Sequence, residues 1–189
     1  LVGSEMCIRD RNDMGPPAVL EQINRTGVEV AIVPEEHSVL GVKAKVKCIA
    51  EIVNKKIEAE RLFEEKLDPA INKLEIASQK VLEKNTKAIF ILGLQSGSPL
   101  IGGMDTSANG LIEMIGAKNV LSSFEGWKPV STESILMAEP DVILISNRGL
   151  SAFGDVESLR QHPALALTPA AKNNNIIAMD GMACLLYTS

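Results

Sequence analysis

The run Ala88-Ile89-Phe90-Ile91-Leu92-Gly93-Leu94 decides the fold, because it is free of polar side chains and contains β-branched and aromatic residues. Such a run is typical of a strand that is buried on both faces. Two further apolar runs follow it, Val142–Ser146 and Ile176–Met179. Helical patterns separate these runs, at 107–115, 132–138 and 156–161. Strands that alternate with helices predict parallel pairing, so the sequence predicts an α/β lobe whose ligands meet the carboxyl ends of its strands.

A long helical stretch precedes this lobe. From 39 to 84 the apolar residues recur at helical spacing, with charged residues between them. We expect Asn54-Lys55 to separate two helices and Asp68-Pro69 to kink or restart the second, because proline lacks an N–H donor and clashes with the preceding turn. Further upstream, a short helix at 16–27 and a buried strand at 28–33 suggest the end of another α/β lobe.

The composition excludes several classes of protein. The chain has 189 residues, of which 46% are hydrophobic and 23% are charged, so it is neither disordered nor collagen-like. No apolar run reaches the ~18 residues of a membrane-spanning helix. A net charge of −5, without a cluster of basic residues, argues against nucleic-acid binding, as does an aromatic content of 3%.

The two ends of the chain show no helical or strand periodicity. The DNA that encodes residues 6–11 also encodes 184–189 when its complementary strand is read, and it resembles a transposon end used in sequencing libraries. We therefore expect 1–11 and 184–189 to be adapter-like, not native, and to lack stable secondary structure. Between them lies one thiol, Cys48, which we expect on a helix face in the buried core of the protein rather than in a disulfide or zinc site.

Residues 93–103 form a glycine-rich segment after the first strand of the lobe. Its glycines fit neither the dinucleotide-binding spacing nor the nucleoside-triphosphate loop, so a turn-rich loop at a cleft is the better interpretation. Gln95 is a candidate ligand-binding residue within it.

No catalytic or metal-binding constellation is evident. His37 and His162 lack partners at metal-ligand spacing, and we expect His162 to be solvated. No serine lies in a nucleophile elbow, so a hydrolase is weakly supported.

Two features in later loops have open interpretations. Trp127, in Gly126-Trp127-Lys128-Pro129, either stacks on a flat ligand or caps the core of the lobe. Arg148 follows the strand Val142–Ser146, where it either pairs with a carboxylate of a ligand or is solvated.

Several segments of the sequence, taken in order along the chain, resemble segments of the haem-binding substrate-binding proteins of bacterial ABC importers. The resemblance covers nearly all of 13–183. The matching segments are Gly15-Pro16-Pro17-Ala18-Val19-Leu20 with Gly27-Val28, Val33-Pro34-Glu35-Glu36-His37-Ser38, Phe124-Glu125-Gly126-Trp127-Lys128-Pro129-Val130-Ser131, Glu139-Pro140-Asp141-Val142-Ile143-Leu144, Arg148-Gly149-Leu150, Leu167-Thr168-Pro169-Ala170-Ala171 and Ala178-Met179-Asp180-Gly181-Met182.

The resemblance implies an α/β fold of two Rossmann-like lobes joined by a long helix, as in class III periplasmic binding proteins, with the first lobe mostly missing. The domains expected on this basis are a remnant of the first lobe at 12–38, a helical linker at 39–86 that includes the long helix, and the second lobe at 87–183.

The resemblance also implies a function. The chain would be a periplasmic binding protein, not an enzyme, that captures haem between its lobes and delivers it to a membrane permease for iron acquisition. Haem would be its transported ligand, obtained in some systems from an outer-membrane receptor, and no catalytic cofactor or nucleic acid is expected. A signal peptide is expected upstream of the sequence.

The resemblance assigns roles to individual residues. It places Trp127, Lys128 and Arg148 in loops that face the cleft, with Arg148 as the candidate partner of a haem propionate. Glu133 matches the glutamate that docks on permease arginines, and an exposed carboxylate at a helix start suits that role.

Some family features are absent from the sequence. The tyrosine that commonly ligates the iron belongs to the first lobe, upstream of residue 12, so the axial ligand is unknown. Leu94 stands where some relatives have a histidine, and Met104-Asp105-Thr106 stands where many have Arg-Gly-Thr. The alternative functions are a cobalamin or ferric-siderophore binding protein of the same class and an α/β enzyme that binds a cofactor at the glycine-rich segment.

Overall fold

The computed structural model describes residues 8–10, 21–22, 25–26, 30–34 and 36–180. Its contacts divide the chain into two compact units, Leu1–Ile71 and Asn72–Ser189.

The second unit contains a mixed, six-stranded sheet. Its strands are β3 (Lys87–Gln95), β4 (Ser98–Gly102), β5 (Lys118–Asn119), β6 (Trp127–Pro129), β7 (Val142–Ser146) and β8 (Ile176–Met179). The order of the strands is β6-β4-β3-β7-β8, and β5 pairs with the start of β3. The pairs β3/β5, β3/β7 and β7/β8 are parallel, whereas β3/β4 and β4/β6 are antiparallel.

The antiparallel part of the sheet corrects the expectation of a loop at 93–103 and of purely parallel strands. The first strand continues to Gln95 and turns back through Ser96 and Gly97, whose φ angles are 50° and 82°. A two-residue turn with positive φ at both positions is the connection that suits a twisted hairpin, and glycine adopts it without strain. The glycine-rich segment is therefore a β-hairpin rather than a phosphate-binding loop.

Alternating side chains of β3 build two hydrophobic clusters, one on each face of the sheet. Ile89 and Ile91 contribute to one cluster and Ala88 and Phe90 to the other, and all four are fully buried. This is the pattern expected of a central strand covered on both sides.

Short helices cover both faces. Ile135, Leu159 and Ala170 from three helices complete the first cluster, whereas Ala108 and Ile112 from one helix complete the second. Side chains of Thr106, Ser131, Ser146, Asp155 and Thr168 cap five helices of this unit at their N-termini. These helices are α4 (Ser107–Met114), α5 (Thr132–Ala138), α6 (Asn147–Leu150), α7 (Val156–Arg160) and α8 (Pro169–Lys172).

The upstream helices follow the sequence pattern closely. They are α1 (Val39–Ile52), α2 (Lys56–Leu62), a π-helical turn (Phe63–Leu67) and α3 (Asp68–Glu83). Asn54, with φ 53°, separates α1 from α2, as predicted for Asn54-Lys55. Cys48 is half-buried on α1.

The π-helical turn lies immediately before Pro69. The N–H of Asp68 donates to the carbonyl of Phe63, five residues back, instead of four. A wider turn gives the proline ring room against the preceding carbonyls, and α-helical geometry restarts at Asp68, which is one of the two outcomes predicted for Asp68-Pro69. Helical segments of 7, 5 and 16 residues follow one another in sequence from Lys56 to Glu83.

Near the start of the chain, β1 (Ile8–Asp10) pairs in parallel with β2 (Val30–Ile32). The prediction that residues 1–11 lack secondary structure is therefore wrong for this segment, since pairing of three residues depends on backbone groups and leaves no side-chain periodicity to detect. The strand predicted at 28–33 is observed at Val30–Ile32. Residues 184–189 and most of the helix predicted at 16–27 lie outside the described residues.

Candidate functional site

Parallel strands β3 and β7 end at the same edge of the sheet, here called the carboxyl edge. Ala88 pairs with Val142 and Ile91 with Ile145, so both strands point the same way. Gln95, the last residue of β3, is exposed there, and Arg148 is exposed in α6, directly after β7. Both predicted ligand-binding residues therefore lie toward the same end of the sheet, with Gln95 in the hairpin beyond Ile91, the last residue of β3 that pairs with β7.

Two buried contacts hold α6 against the sheet. The Oγ of Ser146 accepts a hydrogen bond from the N–H of Gly149 at 2.9 Å, and Ser146 is only 1% exposed. Gly149 lies so close to β3 that an added Cβ would come within 2.1 Å of the Leu92 carbonyl oxygen. A register shift between Ile91 and Gly93 marks an irregularity of β3 at this point. On the solvent side, the Oγ of Ser151 donates to the Arg148 carbonyl at 2.7 Å.

Arg148 differs from the other arginine of this unit. Arg160 donates from two nitrogens to the Glu157 carboxylate and from a third to Asn174. Within the described residues, Arg148 has no ion-pair partner. Arg148 is thus the arginine of this unit that is available to an anionic ligand.

The Glu157–Arg160 pair also shifts the pKa of each partner. Hydrogen bonds from Arg160 and Gln161 lower the pKa of Glu157, and the Glu157 carboxylate raises the pKa of Arg160. At the start of the same helix, the backbone N–H of Ser158 lowers the pKa of the capping Asp155.

Trp127 lies away from the carboxyl edge. On β6, Trp127 pairs with Gly102 of β4. The neighbouring residue of β4, Ile101, pairs with Ile91 near the middle of β3, so Trp127 lies at that level of the sheet. The half-buried indole packs edge-on against Phe90, with ring centroids 6.0 Å apart. Of the two interpretations left open, the packing of the core is the one that this position favours.

Lys128 is exposed on β6, the outermost strand of the sheet. It pairs with Ile101, and its Nζ lies 5.5 Å from the centre of the Phe124 ring. This distance is that of a cation–π contact between the Lys128 ammonium group and Phe124.

Glu133 lies in the first turn of α5 and is exposed. Strand β6 runs in the direction of β3, and the N–H of Val130 donates to the Pro99 carbonyl beside the hairpin, so α5 begins at the carboxyl edge. Ser131 caps this helix by accepting from the N–H of Ser134 at 3.2 Å. Among the described residues the Glu133 carboxylate has no cationic partner.

The histidines do not assemble a metal site. His162 is half-buried, its Nδ1 accepts from the N–H of Ala164 at 3.3 Å, and its ring packs edge-on against Phe153. The prediction of a solvated His162 is therefore wrong, because the side chain closes a local turn. His37 is half-buried just before α1, and the part of the chain described by the structure contains no cluster of three metal-ligating side chains.

Sequence reasoning missed Ser146 and Gly149 as supports of the candidate site. A serine at a strand end, followed by a short helical turn, is a capping signal that could have identified Ser146. Gly149 carries no such signal, since its close neighbour Leu92 is remote in sequence.

Within the described ranges, no helix combines the length and apolar character that crossing a membrane requires.

A family model described as periplasmic binding protein matches residues 7–183. No curated protein matches the sequence significantly.

Three solved structures are similar over nearly the whole chain. The haem-binding protein BhuT, in complex with two haems, has 26% identity over 96% of this chain and 68% of its own, with a TM-score of 0.79. The haem-binding protein HutB of Vibrio cholerae has 33% identity over 94% and 68% of the two chains, with a TM-score of 0.77. The haem-binding protein RhuT from Roseiflexus sp. RS-1, in its apo form, has 26% identity over 96% and 69%, with a TM-score of 0.76.

The chain spans about two-thirds of the length of these structures. The family and the similar structures confirm the α/β class III fold and the expectation of a binding protein rather than an enzyme. The chain belongs to the periplasmic binding protein family.

Proposed function

We propose that the protein is the substrate-binding component of a bacterial ABC importer and that its ligand is haem. The observation that carries this proposal is the similarity to three haem-binding proteins, one of them 33% identical. The proposed location is the periplasm, and the proposed partner is a membrane permease that receives the haem for iron acquisition.

For the ligand site, the proposal centres on the carboxyl edge of the second unit. Haem carries two propionates, and Arg148 is exposed at this edge without an ion-pair partner among the described residues. An arginine guanidinium suits a carboxylate because its N–H groups match both oxygens. Gln95 ends the neighbouring strand and can donate a further hydrogen bond through its amide.

Trp127 and Lys128 are also proposed to contact haem, but they lie farther from the carboxyl edge than Arg148. Both lie on β6 at the level of the middle of β3, and Trp127 packs on Phe90. Their contact with haem requires a ligand that reaches along β6 from the carboxyl edge. The iron ligand is proposed to come from the first lobe.

For docking on the permease, the proposal assigns Glu133. Its carboxylate is exposed at the start of α5 and has no cationic partner in the described part of the chain. An unpaired surface carboxylate can meet a complementary arginine with little loss of existing interactions.

A spectral titration of the full-length protein with hemin tests the proposed ligand. Saturable binding with a shifted Soret band is expected, and excess cobalamin or ferric siderophore should not displace the hemin. Displacement by either compound, or an unchanged hemin spectrum, would contradict haem as the ligand. Binding of a nucleotide in place of hemin would instead favour a cofactor-binding protein.

A further inference from the structure

The short helix α6 carries Arg148 but cannot be stable by itself. It contains 4 residues, whereas isolated helices need roughly a dozen residues before they persist in water. Its conformation must therefore come from contacts with the sheet. Ser146 and Gly149 supply the contacts that are buried.

Ser146 fixes the start of α6. Its hydroxyl lies at the end of β7 and receives the N–H of Gly149 at 2.9 Å, so the strand and the helix share one buried hydrogen bond. Removal of the hydroxyl would leave the Gly149 N–H without this partner in a buried position. The cap thus determines the direction in which the chain leaves the sheet.

Gly149 fixes the distance between α6 and β3. Its Cα lies 3.8 Å from the Cβ position of Gly93, and its own Cβ position falls 2.1 Å from the Leu92 carbonyl oxygen. No side chain fits there, so any residue other than glycine must move α6 away from the sheet. Arg148 immediately precedes Gly149 and would move with it.

We propose that Ser146 and Gly149 are positioning residues that hold the Arg148 guanidinium in place for the carboxylate of an anionic ligand at the carboxyl edge. This inference rests on the proposed function, because it assigns a ligand contact to Arg148. The new element is that the strength of the contact between Arg148 and the ligand carboxylate depends on Ser146 and Gly149, two buried residues that do not touch the ligand.

A double-mutant cycle on hemin binding tests the role of Ser146. In the full-length protein, Ser146→Ala should weaken hemin binding by about threefold to tenfold, since a lost capping interaction lets α6 sample other positions. In the Arg148→Ala background the same substitution should have no further effect on hemin affinity. Ser146→Thr, which keeps a capping hydroxyl, should restore most of the affinity.

A matched control is Ser131→Ala, which removes the equivalent cap from α5 at the same edge. It should leave hemin affinity unchanged. All variants are measured well below their unfolding midpoints, so that a loss of affinity does not reflect a loss of folded protein.

A glycine pair supplies a second test. Gly149→Ala should weaken hemin binding as much as Arg148→Ala, because α6 must shift. Gly93→Ala, whose Cβ would make an ordinary 3.8 Å contact, should not weaken it.

The outcomes separate the inference from the proposed function. Hemin binding that depends on Arg148 but not on Ser146 or Gly149 would overturn the positioning role alone. An equal effect of Ser146→Ala with and without Arg148 would also overturn it, because the cap would then act independently of the guanidinium. No hemin binding by the wild-type protein would overturn the proposed function together with the role of Arg148.

Discussion

The indole of Trp127 packs edge-on against the ring of Phe90, with their planes inclined at 70°. This contact joins β6 to the fully buried Phe90 at the centre of the sheet. Because aromatic pairs of this kind add to the free energy of area burial, Trp127 should contribute measurably to stability.

Trp127→Ala should lower the free energy of unfolding by about 2 to 3 kcal/mol, less than for a fully buried tryptophan because the ring is half-buried. Trp127→Phe should recover more than half of the loss. Urea unfolding followed by circular dichroism measures both. A stability of Trp127→Ala equal to that of the wild type would show that the contact is not needed for the core.

Asn119 should be a second determinant of stability. Its buried side chain donates to the Gly102 carbonyl at 3.1 Å and to Asn109 at 3.0 Å, and it accepts from the N–H of Leu121. Asn119→Ala should lower the free energy of unfolding by about 2 to 3 kcal/mol, because buried backbone groups lose their hydrogen-bond partners. Urea unfolding measures this loss. The control Asn173→Ala, at an exposed asparagine, should change the free energy of unfolding little. Equal effects of the two substitutions would contradict the prediction.

Arg148→Ala should weaken hemin binding by about tenfold to a hundredfold, the range expected for a hydrogen bond to a charged group. Arg160→Ala is the matched control, since Arg160 is already paired with Glu157. Hemin titration of the full-length protein distinguishes the two. If both variants bind hemin like the wild type, Arg148 is not part of the site.

Glu133→Ala should leave hemin affinity unchanged and lower haem uptake through the permease by about tenfold, because a docking carboxylate contacts the partner rather than the ligand. Uptake into proteoliposomes that contain the permease measures the effect. Glu125→Ala removes another exposed carboxylate and should transport normally. A loss of hemin binding in Glu133→Ala would contradict the docking assignment.

Asp155 should make stability depend on pH. The N–H of Ser158 lowers the pKa of the Asp155 carboxyl in the folded protein, so the ionised form stabilises the fold above the unfolded-state pKa. This contribution is lost as the pH falls through the lower, folded-state pKa. Asp155→Asn keeps a capping oxygen but does not titrate, so the stability difference from the wild type should shrink on acidification. The urea midpoints of the wild type and of Asp155→Asn are measured as a function of pH. A difference between them that stays constant with pH would contradict the stabilising role of the ionised Asp155.

The central strands could be predicted from the sequence, and the edge of the sheet could not. Val142–Ser146 and Ile176–Met179 are observed as predicted, because short apolar runs rich in β-branched residues and bounded by turns favour a strand over a helix. Strands β4 and β6 were missed because Pro99 and Pro129 lie within them and are typical of turns. Their pairing depends on a hairpin whose geometry is set at Ser96 and Gly97.

The candidate site was predictable only in part. The position of Arg148 follows from the end of a recognisable strand. The support of Arg148 by Gly149 depends on the register between β3 and β7, which joins residues more than 50 positions apart, as in the pair Ala88 and Val142. Local patterns contain no information about such a register.

The π-helical turn at Phe63–Leu67 has the same effect as one inserted residue: it determines toward which side of the helix axis the side chains of α3 point. An α-helix rotates by about 100° per residue, so one extra residue in a turn rotates the following side chains around the axis by that angle. The ion pair of Asp68 with Lys43, at 2.7 Å, is observed with this phase. Deletion of one residue between Phe63 and Leu67 would close the turn to ordinary pitch, press Pro69 against the preceding carbonyls and rotate Asp68 out of reach of Lys43. A change in length of one residue in this turn therefore changes which side of α3 faces Lys43.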